Sequence, residues 1–214
     1  MKRTRFTFLL LASLAIVGCK NENKEENVED SLETEVIEEE QVEEEAKKIQ
    51  VTLESKSGSD LSGNAVFTEE NGEVTMTAII DGLPEGMHAI HLHESADCSA
   101  EDASSAGGHW NPTFEKHGKW GDPNGYHKGD IGNFKVDANG NGTITMTTDQ
   151  WCIGCDDDKK NIIGKAVIVH DGTDDYESQP AGNSGTRIGC GVIKEDSAAA
   201  NENRDTATDT TTTN

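Results

Sequence analysis

Positive charge is scarce in this chain: 18 Lys and Arg stand against 41 Asp and Glu, a formal net charge of −23 over 214 residues. That balance offers no footing for neutralising phosphates, so nucleic acid is not an expected partner. Aromatic residues are also few, 5% of the chain, and hydrophobic residues make up only 33%, so any core must be concentrated in part of the sequence. Proline is rare (4) and glycine plentiful (22), which favours many turns and short strands over long helices. The apolar run FLLLASLAIV is too short to cross a bilayer, which takes about 20 residues.

That run has its own logic. MKRTRF precedes it and Gly18 and Cys19 end it, the layout of a charged n-region and short h-region of an export signal. Ile16, Val17, Gly18 and Cys19 resemble the bacterial lipobox, which implies a leader over 1–18 and a lipid anchor on Cys19. Residues 20–48 carry thirteen acids and four lysines, so 19–48 is expected to be an extended, self-repelling tether. The low-complexity stretch 195–214 is expected to be a disordered tail. The expected location is the bacterial cell envelope, with membrane contact through the anchor alone. Lys20 lacks the aspartate associated with inner-membrane retention, which points to the outer membrane, facing the periplasm or the cell surface.

Cysteine is sparse too. Beyond Cys19 there remain Cys98, Cys152, Cys155 and Cys190, an even number in a chain bound for an oxidising compartment. Three disulfide pairings are open, and a zinc site at Cys152 and Cys155 is a rival, although a lone CIGC supports it weakly. If the turn permits Cys152 to bond Cys155, Cys98 is left with Cys190.

Residues 49–194 hold alternating segments: IQVTLES, NAVFTEENGEVTMTAII with a turn at Asn71-Gly72, MHAIHLH, IGNFKVDANGNGTITM, GKAVIVH and RIGCGVI. They read as seven or eight short strands joined by Gly and Asn turns, an all-β antiparallel Greek-key barrel or sandwich. Residues 94–129 and 171–187 are too long for idle connections, and long loops on a β scaffold are where function is usually carried.

All seven histidines fall in this middle region. In HAIHLHE, a side-chain period of two places His88 with Ile90 and Leu92, and His91 with His93 on the opposite, small-residue face. His88 is therefore expected to be a hydrogen-bonded core histidine, whereas His91 and His93 can act as a ligand pair. His109, His117 and His127 lie on the first long loop and His170 ends a strand before the second, a set that could converge on one end of the barrel.

HLH, GGHWNP, HG, HKGD, VIVHDGTDD and GNSGTRIGCGVI together resemble the copper,zinc superoxide dismutase family over residues 49–194, in its bacterial exported form. The loop segment CSAEDASSAGGH carries the likeness to that exported branch. The resemblance implies an eight-stranded Greek-key barrel with two long functional loops. It implies copper on His91, His93, His109 and His170, and zinc on His109, His117, His127 and Asp130. Four imidazoles suit Cu(II), while three nitrogens and a carboxylate suit tetrahedral Zn(II). Loop histidines taken singly are more often solvated surface residues; the joint pattern reverses that. Asp174 is implied to link His91 to His117 by accepting a hydrogen bond from each ring. Arg187 is implied to dock the anion, and Cys98 and Cys190 to form the family's disulfide. Cys152 and Cys155 have no counterpart in the family core.

The implied reaction converts two superoxide anions to O2 and H2O2 by Cu(II)/Cu(I) cycling, with His109 as both shared ligand and proton carrier. Export would place it against superoxide outside the cytoplasm. The overall negative field opposes the anionic substrate, and residues 171–186 hold no lysine. Lys116, Lys119 and Lys128 are the candidates for local steering, if they face the copper. The competing reading is an envelope protein that stores copper without turnover. Retention of Arg187 and of both ligand sets argues against it. A homodimer is compatible with the sequence.

Overall fold

The computed structural model describes residues 46–195. The leader at 1–18, Cys19, nearly all of the 19–48 tether and the tail beyond Glu195 lie outside the described residues.

The described residues form eight strands: β1 (Lys47–Ser55), β2 (Ser62–Glu70), β3 (Glu73–Asp81), β4 (Gly86–His93), β5 (Gly132–Val136), β6 (Gly142–Thr148), β7 (Ala166–His170) and β8 (Arg187–Val192). Among the described residues the only helical element is one 3-10 turn, Ser104–Ala106. All pairings between these strands are antiparallel, and the strands close in the order β1-β2-β3-β6-β5-β4-β7-β8, with β8 returning to β1. The jump from β3 to β6 is the Greek-key crossover, and closure leaves no edge to protect.

Local chemistry explains the register. Asn71 and Gly72 both take positive φ (52° and 78°), as a two-residue type I′ hairpin requires, which places Glu70 opposite Glu73. β1 begins at Lys47, two residues before the expected start, because Lys47 pairs with Glu69 at 3.6 Å and donates to the Ile153 carbonyl. On β1, Ile49, Val51 and Leu53 point inward between exposed neighbours. They meet Phe67, Met76, Ile80, Ile90, Leu92, Val167 and Val169 in one core. Each such side chain contributes roughly 1.5–3 kcal/mol on burial.

β4 and β7 depart from alternation. From His88 onward every β4 residue is buried, as is every residue of β7. Their inner residues join the barrel core, while Ala166 and Ile168 on the outer face pack with Ala103, Ala106 and Cys190. The long connection after β4 roofs this wall from outside. The metal-type side chains therefore gather on the outer wall of the barrel, under its loops, and not at one end of it as the sequence suggested. Strand period assigns faces correctly but does not report what covers a face.

Among the described residues two disulfides are present, Cys98–Cys190 and Cys152–Cys155, at sequence separations of 92 and 3. In the chain-entropy account the long closure is worth about 4–5 kcal/mol and the short one about 2 kcal/mol. The first fastens the β4–β5 loop to β8. The second lies in a third long connection, residues 149–165, which sequence reasoning did not single out.

His88 sits on the inner face, 4% exposed, its ring nitrogens 3.1 Å from the His170 carbonyl oxygen and 2.9 Å from that of Pro84. Its ring packs 6.0 Å from Phe134. His88→Ala strands both carbonyls and opens a gap, and should lower unfolding free energy by about 2–3 kcal/mol, read from the denaturant midpoint. Metal content should stay unchanged. Loss of copper equal to that of His93→Ala would overturn the division of β4 into two faces.

Candidate metal centre

Register brings the outer-wall histidines together before any loop is considered. His91 pairs with Ile168, His93 with Ala166 and Ala89 with His170, so His91, His93 and His170 share one patch of wall. His109 is added by the first loop, which returns to β4 through the His93–His109 bridge and through Trp110 N–H donating to the Leu92 carbonyl (2.8 Å). The result is two buried groups whose donor atoms lie within 4.8 Å of one another: His91, His93, His109 and His170, and His109, His117, His127 and Asp130. His109 belongs to both.

Five of these rings, those of His91, His93, His109, His117 and His170, are held by one nitrogen and leave the other without a partner. His91 Nε2 donates to Asp174 Oδ2 (2.9 Å), His93 Nδ1 to the Gly107 carbonyl (2.9 Å), and His117 Nε2 to Asp174 Oδ1 (2.9 Å). His170 Nδ1 faces Ser184 Oγ at 3.2 Å and the Gly185 carbonyl at 3.4 Å. The nitrogens left unpaired and buried are His91 Nδ1, His93 Nε2, His109 Nε2 and His170 Nε2 in the first group, and His117 Nδ1 and His127 Nδ1 in the second. Six orphaned imidazole nitrogens in two clusters are the donor set a pair of cations requires, because buried polar atoms are otherwise paired.

In the second group the Nδ1 atoms of His109, His117 and His127 lie 2.8, 3.0 and 3.2 Å from one oxygen, Asp130 Oδ1. One carboxylate oxygen cannot accept three ring protons in line. Ligands about 2.0 Å from a tetrahedral zinc ion stand about 3.3 Å apart, so these contacts are close to the edges of such a site. Asp130 Oδ2 is turned away and accepts the His127 and Gly118 N–H groups (2.8 and 3.1 Å), which fixes the carboxylate.

Protonation follows from burial and neighbours. Burial, then the closeness of His109, His170 and the Arg187 guanidinium, which disfavours a further positive charge, holds His93 well below the ordinary imidazole range. His170 is likewise held well below it by burial, with His91 and His109 adding to the effect. Burial also lowers His91, against the opposing bond to Asp174, and lowers His109 to about 4. Neutral rings keep the lone pairs that metal binding needs. Burial opposes charge on His117 as well, but Asp130 and Asp174 at its two nitrogens outweigh it and raise it to about 9. That site demands a positive charge. Burial would raise Asp130 and Asp174, yet the hydrogen bonds they accept bring both below the carboxylate range.

Asp174 is clamped from behind by Asn133 of β5, whose side chain accepts from the Asp174 N–H and donates to its carbonyl (both 2.8 Å). The Tyr176 hydroxyl accepts the Asn133 N–H at 3.1 Å. Gly182 passes so close that a Cβ there would overlap Asp174 Oδ1 and crowd His117. Asn133, Tyr176 and Gly182 escape sequence reasoning because the side chains of the first two bond only main-chain atoms and Gly182 acts through shape, none of which a motif marks.

Arg187 opens β8 opposite His170, half-buried, its guanidinium donating to the Ala103 carbonyl (2.9 Å). Lys56 was also missed. Its ammonium donates to the Cys98 carbonyl (2.6 Å), next to Ser57, whose hydroxyl donates to the Arg187 carbonyl (2.8 Å), so a second cation stands on this side. Lys128 turns elsewhere, to the side chain of Gln150, and Lys116 and Lys119 are exposed.

Residues 61–193 match the family described as copper/zinc superoxide dismutase. The chain is 38% identical over 137 residues to superoxide dismutase [Cu-Zn] 1 of Aquifex aeolicus, covering 62% of this chain and 79% of that protein. It is 37% identical over 140 residues to superoxide dismutase [Cu-Zn] 2 of the same organism, covering 63% and 80%. Among solved structures, a double mutant of an SOD-like protein from Bacillus subtilis superposes with a TM-score of 0.61 at 34% identity, over 68% of this chain and 97% of that one. With the family match spanning most of the barrel and both ligand groups inside it, the chain belongs to the copper/zinc superoxide dismutase family.

Proposed function

We propose that this protein is a superoxide dismutase whose copper is held by His91, His93, His109 and His170 and whose zinc is held by His109, His117, His127 and Asp130. The observation that carries the reading is the set of six buried, unpaired imidazole nitrogens, divided between two groups that share His109. Bound there, copper supplies a one-electron couple that serves two superoxide anions in turn, and zinc supplies a fixed positive charge.

The chain's own residues supply the rest. Arg187 carries a permanent charge beside His93 and His170 and offers a docking point for a small anion; a guanidinium keeps that charge at any working pH. His109 holds Nδ1 against Asp130, while Nε2 stays unpaired on the copper side, where it can take and return a proton. Asp174 joins the two halves by accepting from His91 and His117, so the tautomer of one ring is tied to the orientation of the other. A copper store would need neither the shared ring nor Arg187.

The leader and Cys19 support export and lipid attachment, and the acidic stretch after Cys19 supports a spacer that holds the barrel away from the membrane. On this reading the enzyme removes superoxide at the cell envelope, anchored to the outer membrane. Removing 1–18 takes away Lys2, Arg3 and Arg5 and makes the mature chain still more negative.

The central test is dismutase activity of the metal-loaded mature protein with metal analysis, beside His109→Ala. Activity should exceed that of free copper and fall to background in the variant; two bound metals without such activity would sink the enzyme reading. His93→Ala should lose copper and activity together while retaining zinc. Asp174→Asn, which keeps the shape but replaces one of the two acceptor oxygens by an N–H donor, should reduce metal affinity about 10- to 100-fold in a competition titration. Because Arg187 acts at contact range and the net repulsion at long range, kcat/KM should rise as ionic strength climbs to about 0.1 M, where the Debye length is about 10 Å. A fall with salt would show that local cations outweigh the net charge.

A further inference from the structure

Three side-chain contacts from one short segment land on either side of His127. Gln150 Nε2 donates to the Tyr126 hydroxyl (2.6 Å), Gln150 Oε1 accepts from the Lys128 ammonium, and the Trp151 indole N–H donates to the Lys128 carbonyl (2.8 Å). Trp151 is 1% exposed and stands edge-on to Trp120, which in turn packs against Tyr126. Opposite, Asp130 Oδ2 accepts the His127 N–H (2.8 Å), and the Asp130 N–H donates to the His127 carbonyl (3.1 Å). The turn that carries His127 is gripped from both sides. A buried indole needs some acceptor; here the acceptor adjoins a zinc-group histidine, and the neighbouring Gln150 holds the same turn.

Directly after Trp151 comes CIGC, the motif the metal centre does not use. Cys152 is buried and bridged to Asn161, and its disulfide partner Cys155 is partly exposed. The Asn161 side chain accepts the Gly154 N–H (3.1 Å) and donates to the Cys155 carbonyl (3.0 Å), completing a small knot.

We propose that Gln150–Cys155 is a strut for the zinc half of the centre. Trp151 is a positioning residue for His127, acting through the Lys128 carbonyl, and the Cys152–Cys155 disulfide is a lock that a dithiol can open. The strut rests on the reading of His127 as a zinc ligand. In opening, a thiolate of the dithiol attacks Cys155 Sγ, the more accessible sulfur, and expels Cys152 Sγ as a thiolate that takes up a proton. The reagent's second thiol then displaces Cys155, so two electrons and two protons pass to the protein and the reagent leaves as its disulfide. With a sequence separation of only 3, this bridge constrains little chain, and its loss relaxes the turn while the barrel stands.

The test times zinc release from the copper- and zinc-loaded protein into excess chelator, with Co(II) on the zinc side as a spectroscopic reporter. Trp151→Phe keeps an aromatic ring and removes the N–H donor. It should release zinc about 10-fold faster and shift the Co(II) absorption while copper is retained. Gln150→Ala, at a part-exposed position, gives the same readout if Trp151→Phe does not fold. Cys152→Ser with Cys155→Ser should release zinc several-fold faster than wild type without any reductant, and dithiothreitol should accelerate wild type more than this double variant. Wild-type rate and spectrum in Trp151→Phe, or in Gln150→Ala where that variant stands in, overturn the positioning role; a wild-type rate in the double serine variant overturns the lock. His127→Ala separates the readings: zinc retained there defeats the ligand assignment, whereas zinc lost there but not in the strut variants defeats the strut alone.

Discussion

Everything in this structure depends on burying six imidazole nitrogens without giving them protein partners. A buried, unsatisfied polar group costs about 1–3 kcal/mol, so six of them approach the whole stability of an ordinary domain, about 5–15 kcal/mol. A sequence that keeps such a set must recover the cost through what binds there, and binding to the folded state alone stabilises it. The opposite nitrogen of five of the rings shows how the set is kept aimed: a carboxylate, carbonyl or hydroxyl holds it, whereas His127 is held through its backbone N–H on Asp130. Asp174 does this for two rings at once and is itself seated by Asn133.

Much of this was legible in the sequence, for identifiable reasons. Asn71-Gly72 announced its hairpin because both residues tolerate positive φ, and HAIHLHE announced its two faces because a strand has a period of two. The expected eight-stranded barrel and its two long loops are present, and the donor atoms of seven residues stand in the two expected groups. What stayed hidden acts through backbone or through covering. The Gly107 carbonyl that holds His93, the close pass of Gly182 beside Asp174 and the roof over β4 and β7 have no residue type that marks them. The outer-wall position was missed for the same reason, since alternation is silent about a second layer. The role of the 149–165 connection is hidden because CIGC by itself points only to a disulfide or a metal site, and its meaning lies in the tryptophan before it.

Charge poses a different problem. With 41 acids, the chain repels anions at a distance, so any attraction has to be local. Arg187 and Lys56 stand on the side of the first ligand group, both tied to the loop that Cys98–Cys190 fastens to β8. Lys128, a steering candidate by position, spends its ammonium on Gln150. Position along a loop does not predict which way a long flexible side chain turns.

The two disulfides divide the work in a way that mirrors the two ligand groups. Cys98–Cys190 ties down the start of the first loop, beneath which the wall histidines His91, His93 and His170 lie; its long closure stabilises the barrel as a whole. Cys152–Cys155 closes a turn behind the far end of the same loop, where His127 and Asp130 sit. A loop of this length, carrying three histidines and an aspartate, has conformational freedom that would scatter its donor atoms if it were held at one end only. Fastening it at both ends, once to the last strand and once to the connection after β6, lets an irregular segment present donor atoms as fixed as those of a strand.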